Sequence, residues 1–552
     1  MRLIRFVLPA VLCLAALAYL IDLGGSSIWD ANEAYYVETP REMIERGDWV
    51  NPTFNYEPRF NKPVLAYWVV GVLYKTFGVS VGVERMAIAG LALVMIVAAW
   101  FLARAASLHP AAPVLAALGL AANPRFFMFA RRILIDVMLA AFMTLILLFF
   151  ALAERYPARR RLFLVLMYVA VGLGVLAKGP VAAALPALVF LLYLGFHREW
   201  GRLRDMMIPT GTAIALAIAA PWYVMLYAQG GWTHISSFLL SENVERFTST
   251  FGPTGRGPLF YLGVMFTDSL PWSLALPAAV AVWLRDRRQT TASPDVRIRT
   301  LLWLWIAVIV GFFSFSQTKQ DLYIFPIVAA VAVLGADVLA RLAVTGMGPT
   351  RVSRWLTGTL AVAALLLAAG GGFALYVISR AGSGFAIEGL TAAAVIALAA
   401  AVTIAILMVR HQPAFAVAVL AAVFVTFNWV LVAKVLPSFE RYKPVTAFSD
   451  ILRQQAQPGD TIAHFEAAMP SMVFYLQRHI DLVEDEQGFV KMMQSGRPVY
   501  VVLPERRYEE LGPALGVRTC VLDRRPAADV KLRDVLAGHG PASLVLVTTR
   551  CQ

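Results

Sequence analysis

The sequence has few of the residues that build metal and redox centres. Its 552 residues include three cysteines and seven histidines. Cys13 lies in an apolar run far from Cys520 and Cys551, so neither a disulfide framework nor a thiolate metal cage is indicated; a single Cys520–Cys551 bridge stays open. No histidine falls in an HxxxH or HxxE pattern, so a dedicated metal site is not expected and no cofactor is required, although carboxylates alone can hold a hard divalent ion. No glycine-rich phosphate loop follows a strand-like run, which argues against direct use of ATP or a dinucleotide. Internal repeats are also missing.

Charge is scarce as well. Only 15% of residues are charged and 59% are hydrophobic, with mean hydropathy +0.68. That composition exceeds the needs of a soluble core and reads as an integral membrane protein. The net charge of +13 does not point to nucleic acid, because Lys and Arg cluster in short loops between apolar runs rather than on a solvated face.

Runs long enough to cross a bilayer fall near 3–21, 83–104, 110–124, 134–153, 161–177, 179–196, 208–228, 260–284, 300–316, 321–341, 355–378, 388–410 and 413–435, about thirteen helices at ~20 residues per crossing. The first run follows Arg2 and Arg5, reaches spanning length and lacks a clear cleavage site before Asp22, so it reads as an uncleaved helix starting in the cytoplasm. From that start, the loops containing Arg155, Arg198, Arg287, Arg341 and Arg410 fall inside, as the positive-inside rule requires. The opposite, extracytoplasmic side receives the segments 22–82 and 229–259, the turns around Arg131, Lys178 and Lys319, and everything after about Leu436. Residues 440–552 have soluble composition, with β-type runs at Pro498 to Leu503 and Ser543 to Thr548 and a helical stretch at Met472 to Arg478. The expected architecture is a polytopic α-helical membrane domain, 1–439, followed by a small extracytoplasmic α/β domain, 440–552.

The polar segment Trp29 to Trp68 sets charge beside the membrane, where it is costly without a partner. Glu33 to Arg46 has helical spacing, and the i,i+4 pairs Arg41 with Glu45 and Glu42 with Arg46 read as a solvated face laced by ion pairs. Asp30 and Glu33 precede this helix beside Trp29, Tyr35 and Tyr36. Asp30 is either an N-cap or, like Glu33, a carboxylate that engages an incoming hydroxyl. Lys62, in Arg59-Phe60-Asn61-Lys62-Pro63, either snorkels to headgroups or grips the phosphate of a lipid-linked substrate. Arg131, Arg132, Lys178, Arg246 and Lys319 bring further cations to the same face, against the topological trend. Asp136 either pairs with Arg132 or supplies a second carboxylate.

The chain resembles the polytopic GT-C glycosyltransferases related to protein O-mannosyltransferases, especially the bacterial 4-amino-4-deoxy-L-arabinose transferases that modify lipid A. The resemblance rests on the ordered set NEAYY, REM, GDW, NKP and YW in the first loop, ARRILIDVMLAAF, LAKGP, SENVERF, LPW and KQDLYIFP, and spans nearly the whole chain. It implies about thirteen helices and a first outer loop of amphipathic helices covering a cavity. It also implies glycosyl transfer from a sugar on a polyprenyl phosphate at the outer face of the inner membrane. By position, Lys62, Arg246 and Tyr323, with Lys319 nearby, correspond to donor-phosphate ligands, and Asp136 to the second acidic residue. Asn32, Tyr35, Tyr36, Arg59 and Arg131 fall among the substrate-binding candidates. The usual Asp-Glu pair of the first loop is Asn32-Glu33 here, with Asp30 two positions earlier. Tyr35 replaces an Arg of the aminoarabinose enzymes, and Asn61 a Glu. These departures bear on the sugar and acceptor rather than on the class. Lipid A is the first expected acceptor, and a protein hydroxyl or another envelope glycolipid the second. A transporter or flippase is the distant alternative, disfavoured because span interiors carry little charge.

Overall fold

The structure is a computed structural model of the full chain, in which residues 2–30, 32–107, 109–132, 134–236, 238, 240, 245–249, 256–289, 293–345, 351–381, 386–527 and 532–551 are described. The helices of the apolar part are α1 (Arg2–Ala18), α2 (Ala34–Arg46), α3 (Leu65–Phe77), α4 (Val81–Ala106), α5 (Ala112–Ala121), α6 (Pro124–Phe129), α7 (Leu134–Arg155), α8 (Arg160–Lys178), α9 (Val181–Phe196), α10 (Ile208–Ser236), α11 (Arg246–Thr248), α12 (Phe260–Asp268), α13 (Leu276–Gln289), α14 (Pro294–Ser314), α15 (Val328–Thr345), α16 (Arg351–Arg380), α17 (Leu390–Val409) and α18 (Pro413–Val430). Local chemistry fixes several ends. Ser80 and Asn123 accept from the backbone N–H of Val83 and Phe126 at the starts of α4 and α6. Gly47 takes a left-handed conformation beyond α2 and donates its N–H to the Ile44 carbonyl.

Every expected span falls on a helix. Among the described residues, nine helices are long and apolar enough to cross a membrane, and shorter apolar helices cover Leu8–Ala18, Ala112–Ala121 and Val181–Phe196. The run expected as one helix at 260–284 is different: Phe260–Asp268 and Trp272–Gln289 meet at 114°. Pro271, which has no N–H to continue a ladder, sits in the break. Trp272 is wedged at this corner, donating its indole N–H to the Leu115 carbonyl at 2.8 Å. Gly119 faces the indole, and Gly335 the carbonyl and Cβ of the same residue, so closely that a Cβ on either would overlap Trp272; the LPW motif thus packs against glycines of α5 and α15.

One end of the bundle is laced by arginines. Glu154 receives Arg202, Arg160 and Arg297, while Arg297 also binds Glu199 through both terminal nitrogens. Beside them, Arg299 bridges Asp286, Asp295 and Asp337, and Arg341 binds Asp286 and Asp337. These ties join the chain reversals after α7, α9 and α13 to the last turns of α15, so they lie at one end.

At the other end, the segment between α1 and α4 folds as α2, a two-residue hairpin (β1, Thr53–Phe54, against β2, Glu57–Pro58) and α3. Here the solvated-face expectation is corrected. Glu38, Arg41 and Glu42 are buried at 0%, 8% and 0% exposure. Arg41 pairs with Glu38 as well as the expected Glu45, and Glu42 accepts from the Tyr56 backbone N–H instead of pairing with Arg46. Of the two i,i+4 pairs only Arg41–Glu45 forms, because the hairpin covers that face and takes Glu42.

The C-terminal part forms a five-stranded sheet of β3 (Thr461–Phe465), β4 (Asp481–Val483), β5 (Val499–Pro504), β6 (Cys520–Pro526) and β7 (Ser543–Thr548), in the order β4-β3-β5-β7-β6. The first three are parallel and β7 is antiparallel to β5 and β6. A Cys520–Cys551 disulfide ties the edge strand to the chain end. This sheet domain sits on the α2 segment: Asn55 donates to the Ile480 carbonyl at 2.8 Å, and Ile28 donates its N–H to the Tyr475 hydroxyl at 2.9 Å.

Candidate active site at the domain end

The residues singled out from sequence gather mostly at the end that carries the sheet domain. Lys62 is half-buried in the turn before α3. Two residues earlier, Phe60 stacks on His234 with ring centres 3.9 Å apart, tying the Lys62 turn to the end of α10. Arg59 lies 3.7 Å over the Tyr35 ring, which in turn packs on Phe54 at 4.7 Å. Tyr36 is buried and stacks on Tyr67, whereas Asn32 is exposed.

The Lys319 turn is held to the chain following α10. Gln317 donates its N–H to Phe247 at 2.9 Å, and the Thr318 hydroxyl donates to Ser249 at 2.7 Å. Lys319 donates its ammonium to the Ser316 carbonyl, and Arg256 donates to the Lys319 carbonyl. Tyr323, half-buried, packs on Phe313 at 5.1 Å. Arg246 begins α11 beside Phe247, so its backbone is part of this junction; its side chain, and residues 241–244 of the SENVERF motif, lie outside the described residues.

The carboxylates have specific partners. Glu33, fully buried, is gripped by the Arg85 guanidinium at 2.6 and 2.8 Å and also accepts the Trp29 N–H at 2.8 Å. Both oxygens are committed to an ion pair inside the protein. Asp30 does not cap α2. Its carboxylate accepts the Ser471 backbone N–H at 2.7 Å and the Ser471 hydroxyl at 2.6 Å, latching the first segment to the sheet domain. Although part of the residue reaches the surface, desolvation of this carboxylate is the main cause that pushes its pKa up to about 6, against the opposing Ser471 hydrogen bonds. Asp136 pairs with Lys178 at the end of α8 rather than with Arg132.

Arg131 is likewise engaged within the protein. It is 7% exposed and donates to the carbonyls of Ala18, Ile21 and Asp22, each at 2.9 Å, so it clamps the end of α1. Burial is the main reason its pKa falls to about 10. Arg132 instead lies 4.9 Å over the Trp29 ring, with Lys443 at 4.4 Å over the same ring. Burial brings the Lys443 pKa down to about 8. Arg125, which sequence reading passed over, bonds Asp268 at 3.2 Å and pairs with Asp321, fastening α6 to the bent helix and the Lys319 turn. Its one sequence signal is a cation in the NPRFF turn, at the end poor in basic loops. Among the described residues, no group of three or more His, Cys, Asp or Glu side chains is placed to hold a metal ion.

The domain end thus collects cations and aromatic rings over an apolar bundle, a combination suited to an anionic headgroup with a hydrocarbon tail. Comparison with known proteins gives the same direction. A family described as "Dolichyl-phosphate-mannose-protein mannosyltransferase" matches residues 61–225. An undecaprenyl phosphate-alpha-4-amino-4-deoxy-L-arabinose arabinosyl transferase of Pseudomonas fluorescens is 28% identical over 66% of this chain and 61% of its own length. A transferase of the same description from Pseudomonas aeruginosa is 29% identical over 59% of this chain and 58% of its own length. The chain therefore spans about three fifths of the curated relatives it matches. The crystal structure of ArnT from Cupriavidus metallidurans bound to undecaprenyl phosphate superposes with a TM-score of 0.79 at 23% identity, covering 98% of both chains. The chain accordingly has the polytopic GT-C fold with a small C-terminal α/β domain, and it resembles the bacterial aminoarabinose transferases.

Proposed function

We propose that the chain is a glycosyltransferase that moves a sugar from a polyprenyl phosphate to an envelope acceptor, with 4-amino-4-deoxy-L-arabinose and a lipid A phosphate as the preferred pair. The observation that carries this reading is the fold match over 98% of the chain to a protein crystallised with undecaprenyl phosphate, together with the cationic turns at Lys62 and Lys319. In this reading Lys62, Arg246, Lys319 and Tyr323 hold the donor phosphate. An acceptor phosphate oxygen attacks the anomeric carbon, and the bond from that carbon to the donor phosphate oxygen breaks. The polyprenyl phosphate departs with the electron pair, its growing charge met by the cations. An anionic acceptor needs no general base, which suits a site whose first-segment carboxylates are engaged with Arg85 and Ser471. Asp136, steered by Lys178, is assigned to the sugar, and the Tyr35–Arg59 stack to acceptor or sugar positioning.

The domain end is assigned to the periplasm and the arginine-laced end to the cytoplasm of the inner membrane, on the positive-inside rule. Residues 1–439 form the membrane domain in this assignment and 440–552 the periplasmic one. Mass spectrometry of lipid A from cells with and without the gene tests the acceptor: an added aminoarabinose only when the gene is expressed is expected. Unchanged lipid A with newly modified envelope proteins would favour a protein hydroxyl instead, the reading that the mannosyltransferase family match supports.

A further inference from the structure

At the arginine-laced end, a cavity of about 320 Å³ opens between the ends of α9 and α13 and the start of α14. Its lining includes Phe196, His197, Arg198, Arg287, Arg297 and Thr300. Arg297 is neutralised by Glu199, at 2.9 and 2.6 Å. Arg198 and Arg287 have no carboxylate in ion-pair range among the described residues. Of the three arginines in the lining, Arg297 alone is paired, so Arg198 and Arg287 bring two positive charges without a carboxylate partner among the described residues. Arg287 is held in place by two rings, 4.4 Å over Phe196 and 5.6 Å over Trp283. The Trp283 N–H donates to the Thr300 hydroxyl at 2.9 Å. His197 Nε2 is buried, with no hydrogen-bond partner among the described residues. Phe196, 40% exposed, lines the cavity, and Trp200, 54% exposed, lies against Gly195 beside it, as aromatic residues do at a membrane interface.

Fixed positive charge and aromatic rings at a helix-bundle end match a phosphodiester attached to acyl chains. A guanidinium fork reads phosphate oxygens in pairs, and basic clefts between membrane helices take up anionic headgroups. We propose that this cavity binds the phosphate of an anionic phospholipid, such as phosphatidylglycerol or cardiolipin, from the leaflet at that end of the bundle. It lies at the opposite end from the Lys62 and Lys319 turns, so the inference is independent of the transferase reading.

The test is native mass spectrometry and thermal-shift titration of the full chain in detergent, with cardiolipin, phosphatidylcholine and inorganic phosphate added separately. Cardiolipin is expected to be retained and to raise the melting temperature, whereas phosphatidylcholine does neither. Arg198→Gln with Arg287→Gln removes two charges that make no ion pair among the described residues and should weaken cardiolipin roughly 25-fold, about fivefold per arginine. The single Arg198→Gln, at an exposed position, should show the fivefold loss even if the double variant folds poorly. Equal retention of phosphatidylcholine, or unchanged cardiolipin affinity in Arg198→Gln, would overturn the proposal. Saturation by inorganic phosphate with no lipid retention would assign the arginines to a free ion and overturn the lipid source.

Discussion

The Glu33–Arg85 pair offers the sharpest separation of scaffold from chemistry. The side chains are 0% and 2% exposed, so the pair is desolvated and does not fall in the range of surface salt bridges, which contribute at most about 1 kcal/mol. Truncating Glu33 to Ala leaves the Arg85 guanidinium buried. Loss of one partner of such a pair costs about 3–5 kcal/mol. Arg85 keeps the carbonyls of Leu23, Ser26 and Ser27, which hold part of its hydrogen-bonding capacity, so the low end, about 3 kcal/mol, is expected. The assay is the thermal-aggregation midpoint of detergent-purified protein, together with transfer activity of the same sample. Glu33→Ala should melt well below wild type and lose activity in proportion to folded protein. Glu33→Leu combined with Arg85→Met removes both charges, and a hydrophobic replacement of a buried pair is often neutral or better. That double variant should recover most of the stability and, if the pair is scaffold, most of the transfer. A double variant that is stable but inactive would refute the scaffold assignment and return Glu33 to the chemistry. A Glu33→Ala protein as stable as wild type would refute the energetic argument itself.

Other outcomes follow from single contacts. Lys62→Ala should abolish transfer while leaving the melting temperature within a degree or two of wild type, and retained activity would remove Lys62 from the phosphate role. Asp30 has a folded pKa raised from 3.8 to about 6, so its stabilising contribution is complete below about pH 4 and is lost as pH rises through 6. The stability difference between wild type and Asp30→Asn should therefore shrink or reverse between pH 4 and pH 7, as read from melting curves; a difference that grows with pH would contradict it. The Cys520–Cys551 bridge closes a loop with a sequence separation of 31, for which chain entropy gives about 3–4 kcal/mol. Cys551→Ser should make the sheet domain much more susceptible to limited proteolysis, and equal cleavage rates would show that the bridge adds little.

How much was legible in the sequence depends on whether a feature is local. Hydrophobic run length located the helices, because a span must satisfy its own backbone and declares itself by composition. The same criterion missed the 114° corner at Ser269–Trp272, since the flanking helices are both apolar and only Pro271 marks the break. Within the sheet domain, the apolar runs at 498–503 and 543–548 landed on β5 and β7, whereas β4, three residues with mostly exposed side chains, carried no such signal. The identity of the cationic turns at Lys62 and Lys319 was available from sequence, because charge at the end opposite the Arg-rich loops is conspicuous. What each charge touches was not. Arg131 and Arg132 are adjacent, yet one clamps three carbonyls of the first helix end and the other lies over Trp29. No one-dimensional pattern distinguishes them.

The same limit explains why the acidic residues looked catalytic. Asp30 and Glu33 were conspicuous as charges beside a membrane, and burying them without partners would indeed be expensive. Their partners, Ser471 and Arg85, come from 441 and 52 residues away, so the cost is offset by contacts that sequence spacing cannot reveal. The consequence is mechanistic as well as structural. Asp30 holds the sheet domain against the first segment, and Glu33 anchors that segment to α4 through Arg85. The first loop's acids thus fix the platform that presents Lys62 and the Tyr35–Arg59 stack. A substitution at Asp30 that leaves the protein folded should then loosen substrate positioning before it alters the chemical step. Asp30→Asn keeps one acceptor oxygen for Ser471 and should raise KM for the lipid donor several-fold with little change in kcat, whereas a loss confined to kcat would place Asp30 at the reacting atoms.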